Sequence, residues 1–188
     1  MEEDYPLVTT GRALVPGTAH TLLVSPRPPP GGKRVVAALR RPEGGHHPVG
    51  TIARILERQP VAGGAMARLR AESLVHIGPA AADGTVRTVA VDRETPVSEA
   101  LLDQAQRALC RYMAARAEGG EQGDVLLRVS RDPVTASHEV ASRLRVSWPE
   151  VQEILEAGGP AERLQKAMET MTRETELLQW LLGREGSL

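Results

Sequence analysis

With 188 residues, a formal net charge of −1 and a single cysteine, Cys110, the chain has room for one large domain or two small lobes. The charge balance argues against a nucleic-acid partner, and one thiol excludes an internal disulfide or a four-thiolate metal site. No apolar run reaches the roughly 18 residues needed to span a bilayer, and the acidic opening MEEDYPL lacks a signal peptide's basic region, so a cytoplasmic protein without a membrane span is expected.

Residues 1–95 carry short apolar runs separated by turn signals: ALVPGTAHTLLV, RVVAALRR, PEGGHHP, PVAGG and AAADGT. This spacing of Val, Thr and Leu predicts an all-β lobe. The tract PRPPPGG cannot donate ladder hydrogen bonds at its prolines and is expected as a surface loop. Between these lies HPVGTIARILER, His47 to Arg58, which reads two ways. Val49, Ile52, Ala53 and Leu56 form a helical stripe, whereas Val49, Thr51, Ala53 and Ile55 share one face of a strand. Farther on, Asp83-Gly84 makes a turn into the strand-like TVRTVAVD.

Residues 96–188 change period. After Thr95-Pro96, read as N-cap and first helical residue, Leu101, Leu102, Ala105, Ala108, Leu109, Tyr112 and Met113 make one wide helical face. GGEQG breaks it, Asp132-Pro133 opens a second helix, and SWPE (147–150) is a capping box for a third. AGGP stops that one. Leu164, Met168, Met171, Thr175, Leu178 and Leu182 then run at spacings of four and three along a long last helix. The order, sheet first and helices second, predicts an α+β fold with a β lobe at 1–95 and a helical lobe at 96–188.

Several segments in this order resemble the Lon protease amino-terminal domain family. They are Pro6-Leu7, Val15-Pro16-Gly17, Val49-Gly50-Thr51 with IARILE, Asp132-Pro133, Ala141-Ser142, Ile154-Leu155-Glu156 and Arg163-Leu164. The resemblance covers nearly the whole chain. It implies that 49–58 is a strand, that the first lobe is a twisted, barrel-like, PUA-like sheet, and that a helical bundle follows. It also implies a role in substrate recognition. SPRPPPGGKRVV departs from the family pattern, standing where relatives have a helix.

The residues offer little for catalysis. PPPGGKR mimics the end of a phosphate loop, but Arg27, five residues before Gly32, stands where the first glycine is needed, and Arg34 where Ser or Thr is needed. Lys33 and Lys166 lie outside any nucleophile turn, so neither makes a Ser-Lys dyad. His46-His47 have no carboxylate or thiolate placed with them and are read as a solvated loop. His20 and His138 read as satisfied polar residues, and Cys110, beside Leu109, as a small buried thiol. No cofactor or metal is expected. Surface contact remains. In GGAMARLRAE, Ala65, Ala67 and Leu69 take one side of a strand and Met66, Arg68 and Arg70 the other. AHTLLV offers Thr21 and Leu23, or Leu22 and Val24, to that same surface. Met66, Arg68, Thr21 and Leu23 are the candidate polypeptide contacts. Leu177, Trp180 and Leu181 lie outside the heptad seam and are candidates for weak self-association.

The leading expectation is thus a non-catalytic domain that binds unfolded or tagged polypeptides through shallow apolar contacts or strand addition at a sheet edge. It would serve the ATPase and protease domains of a Lon-type enzyme, or act as a free-standing relative. The alternatives are a PUA-like RNA-binding module and an uncharacterised hydrolase.

Overall fold

The computed structural model describes residues 3–26, 28–29, 32–92, 96–118 and 128–185. Six strands come first: β1 (Glu3–Thr10), β2 (Ala19–Ser25), β3 (Arg34–Leu39), β4 (Val49–Val61), β5 (Gly64–Ala80) and β6 (Thr85–Ala90). Four helices follow: α1 (Glu99–Glu118), α2 (Pro133–Arg143), α3 (Trp148–Leu155) and α4 (Pro160–Glu185). The chain divides into two compact units. One is Met1–Glu94 with Arg145–Gly158; the other is Thr95–Leu144 with Gly159–Leu188.

The sheet runs β2-β1-β3-β4-β5-β6 and closes on itself, because β2 also pairs β5 and β6 also pairs β1. β5 makes this possible by its length. Ala65–Arg70 pair with β2, while Val75–Ala80 pair with β6 along the same flank. The interior packs five small residues, Ala37, Ala53, Ala65, Ala67 and Ala71, among the larger Val8, Leu14, Val24, Val35, Ile55 and Leu69. From Val35 onward β3 is buried on both faces: Val36 packs with Val75 and Val86 in a second apolar cluster, and only Arg34 at its start is exposed. This explains its unbroken run VVAAL.

The segment 49–58 is strand, as the family resemblance implies, and continues to Val61. Val49, Thr51, Ala53 and Ile55 all point inward and are buried. Leu56, which gives the segment its helical period, lies in a register shift between Ile55 and Glu57 and is only half-buried. Residues Ala13–Pro16 are buried as well, and the Thr51 hydroxyl donates to the Leu14 carbonyl at 2.6 Å.

The third helix differs from expectation in where it packs. α3 groups with the sheet rather than with the other helices. Gln152 Nε2 donates to the Val49 carbonyl at 2.8 Å, and Arg12 lies 4.1 Å over the Trp148 ring. Its amphipathic pattern showed that it has a partner but not which one. At its start, the Glu150 carboxylate accepts from the Ser147 amide (3.0 Å) and hydroxyl (2.7 Å).

In the second unit, α1 begins at Glu99. The cap is Ser98, whose side chain accepts from the Leu101 amide; Thr95 and the GGEQG break lie outside the described residues. Asp132 caps α2 by accepting from the Thr135 amide at 2.8 Å. α4 packs against α1 and α2. Leu164 and Met171 are fully buried, while Met168, Thr175, Leu178 and Leu182 are half-buried. The seam therefore loosens toward the end of the helix.

Candidate functional site

The outer wall of β2, β5, β4 and β3 is built by alternation. In β5, Ala65, Ala67 and Leu69 fill the interior, so Met66, Arg68 and Arg70 must face outward. Register then fixes their neighbours. Leu23 lies opposite Met66, Thr21 opposite Arg68 and Ala19 opposite Arg70. On the other flank of β5, Gln59 pairs with Met66, Glu57 with Arg68 and Arg54 with Arg70. Arg34 of β3 pairs in turn with Arg54. The four candidate contacts, Thr21, Leu23, Met66 and Arg68, thus share one exposed surface. Their alternation partners Leu22 and Val24 are half-buried and buried. Leu23 is 56% exposed and Met66 36%, the two large exposed apolar side chains of this wall.

The wall is graded in character. Leu23 and Met66 make an apolar pair with the Gln59 amide beside them; Thr21, Arg68 and Glu57 make a mixed row; Ala19, Arg70, Arg54 and Arg34 a basic one. Glu57 sits 3.8 Å from the Arg68 guanidinium. Glu72, the extra residue of a bulge opposite Ile52 and Ala53, accepts from Arg34 Nε at 2.7 Å and from Arg54 Nε at 2.9 Å. Partial burial pulls the Glu72 carboxyl upward, but hydrogen bonds and charge from Arg54 and Arg34 outweigh this and hold it below the ordinary carboxylate value. Arg70 makes no ion pair among the described residues.

Above the apolar row β2 presents an open edge. Its outer flank meets β1 only at Val24 and Ser25, and no strand among the described residues pairs with Ala19–Leu23 there. Burial pushes the His20 imidazole below its ordinary value, and the Arg12 charge adds to this.

Other candidate groups fall elsewhere. His47 is not solvated: its Nδ1 lies 2.8 Å from Glu156 Oε1, tying the loop to the residue after α3. Cys110 is exposed, not buried, because it lies about 100° round the helix from buried Leu109. Among the described residues its sulfur meets only the Gln106 amide, at 3.2 Å, and no reactive constellation surrounds it. Among the described residues no three His, Cys, Asp or Glu side chains could hold a metal. No helix there is long and apolar enough to cross a membrane. Leu177, Trp180 and Leu181 are half-exposed on one side of α4 in the other unit.

A family model for the substrate-binding domain of ATP-dependent protease La (LON) matches residues 12–173. The chain belongs to that family. Two solved structures share its fold. The N-terminal domain of the Mycobacterium avium complex Lon protease has a TM-score of 0.65 at 21% identity, covering 90% of this chain and 98% of that one. The Lon N-terminal domain protein from Xanthomonas campestris has a TM-score of 0.53 at 17% identity, covering 89% and 98%. A comparison with curated proteins finds no match. Thr21, Leu23, Met66 and Arg68 lie inside the stretch that matches the Lon substrate-binding family, and Leu177, Trp180 and Leu181 lie beyond it.

Sequence reasoning found half of this wall. The period-2 pattern of GAMARLRAE marks Met66 and Arg68, but Arg54, Arg34, Gln59 and Glu57 were missed. They belong to strands whose adjacency no local pattern encodes.

Proposed function

We propose that the chain is a non-catalytic recognition domain that holds unfolded or tagged polypeptides for a Lon-type ATP-dependent protease. The observation that carries this is the Leu23–Met66 pair, two large apolar side chains exposed side by side on a closed sheet. A soluble protein exposes such a pair at a cost in solubility, and a contiguous apolar patch on a rigid wall suits a shallow contact. Methionine adapts its shape and polarisable sulfur to varied side chains, which fits a partner without fixed structure. The unpaired outer flank of β2 adds backbone donors and acceptors that an extended chain can use. Membership in a family described by substrate binding supports the same reading.

The test is binding of unfolded casein to the folded chain at moderate salt, compared with Leu23→Ser/Met66→Ser. The double variant is expected to keep its circular dichroism and to bind several-fold more weakly. Unchanged binding would remove the patch from the mechanism. Incubated with casein or with ATP, the chain is expected to hydrolyse neither.

A further inference from the structure

We infer that the outer wall reads an extended polypeptide in which an apolar side chain and a carboxylate stand four residues apart. This rests on the polypeptide-binding function proposed above and specifies its substrate class. The apolar row of Leu23 and Met66 and the basic row of Arg70, Arg54 and Arg34 are separated along β5 by four residues, Met66 to Arg70. At about 3.3 Å per residue that is roughly 13 Å, the distance an extended chain also covers in four residues. A peptide running along the strands therefore presents side chains to both rows on the same face. The middle row, Thr21, Arg68 and Glu57, is internally balanced and offers neither strong attraction nor apolar surface.

Charge complementarity selects the acid. Four guanidinium groups, of Arg34, Arg54, Arg68 and Arg70, meet two carboxylates, of Glu57 and Glu72, on this wall. Glu72 is shared by Arg34 and Arg54, Glu57 lies by Arg68, and Arg70 is left uncompensated among the described residues. Arg54 and Arg70, opposite each other across the ladder, repel unless an anion screens them. A carboxylate can accept two parallel bonds from a guanidinium, which sets position as well as charge. The same row could attract a nucleic-acid phosphate. The only aromatic side chain near this row among the described residues, however, is Tyr5 of β1, which meets Arg34 at the far end and is engaged by Glu3 and by the second apolar cluster, so no run of stacking platforms follows the arginines, and the apolar row answers to a peptide instead.

The experiment titrates the full chain against fluorescent twelve-residue peptides of Gly, Ser and Thr with a central Leu. They carry Glu, Gln or Lys four residues to each side, or Glu two residues to each side. The Glu-at-four peptide is expected to bind roughly two- to tenfold more tightly than the Gln peptide, the range of one or two exposed ion pairs. The Lys peptide is expected to bind most weakly and the Glu-at-two peptide like the Gln one. The advantage should vanish in Arg54→Gln/Arg70→Gln and at high salt, with Gln-peptide affinity unchanged. If all peptides bind equally and still require Leu23 and Met66, the acidic rule is overturned while polypeptide recognition stands. If neither these peptides nor unfolded casein bind, both fail. An RNA oligonucleotide that binds more tightly than the Glu peptide and depends on Arg70 would overturn the peptide assignment.

Discussion

The hairpin that carries Met66 turns on a contact with no room for a side chain. A Cβ added at Gly64 would fall well inside contact distance of the Val24 carbonyl oxygen, a backbone atom. Val24 cannot yield easily, since it pairs with Thr10 of β1 and with Ala65 of β5 and is itself fully buried. Gly64→Ala must open this junction by about 1 Å or more to restore ordinary contact. Overpacking of this kind costs about 1–3 kcal/mol, against which the stiffer unfolded chain returns about 0.4–1 kcal/mol. A net loss of up to about 2.5 kcal/mol is expected. Gly11 is the control: a Cβ there meets nothing within 4 Å and its φ is not in the left-handed region. Gly11→Ala should be stabilising by about 0.4–1 kcal/mol through the same entropy term. The two tryptophans make the measurement unit-specific, because Trp148 lies in the sheet-bearing unit and Trp180 in the helical one. In a Trp180→Phe background, urea unfolding followed by Trp148 fluorescence reports the barrel. If Gly64→Ala raised the midpoint as Gly11→Ala does, the close approach of β2 to the hairpin would be wrong.

Three further outcomes are expected. Leu164→Ala empties a fully buried site on α4 and should cost about 2–5 kcal/mol, seen by Trp180 fluorescence with the Trp148 transition monitored separately. Polar replacements of Leu177, Trp180 and Leu181, all about half-exposed, should leave the melting temperature nearly unchanged and lower any self-association in sedimentation velocity. Exposed charges on the barrel should also show in its pH profile. The Glu72 carboxyl is held below its ordinary value of 4.5, so its contribution is fully present above pH 4.5 and lost as pH falls through the lower folded value; Glu72→Gln should flatten the acid limb of the urea midpoint below that pH.

Much of the fold was legible because period and punctuation agree over long stretches. GAMARLRAE alternates cleanly, so Ala65, Ala67 and Leu69 could be assigned inward and Met66 and Arg68 outward before any neighbour was known. The α4 stripe and the Asp132 and Ser147 helix starts were legible for the same reason. AHTLLV was not decided locally, because both of its faces carry apolar residues. Closure of the barrel decides it, by placing Val24 inside between β1 and β5 and turning Leu23 out. For α3 a short apolar stripe shows amphipathicity, but nothing in eight residues says whether a sheet or a helix covers it.

The rows of the contact wall were hidden by two extra residues. Strict alternation along β4 would turn Arg54 outward, then Leu56, then Arg58, and would bury Glu57 and Gln59. The shift at Leu56 inverts that phase, bringing Glu57 under Arg68 and Gln59 under Met66. The shift at Glu72 does the corresponding thing in β5. It releases one carboxylate from the ladder and lets it bridge Arg34 and Arg54, which lie on two different strands. Without Glu72 those two guanidinium groups would stand beside Arg70 with no carboxylate between them, and the basic row would repel itself. A second such carboxylate would lower the row from a net charge of +2 to +1 and weaken its hold on an acidic group. The single bridging Glu72 leaves the row assembled but undercompensated, which is the electrostatic condition for a site that accepts a carboxylate and releases it again.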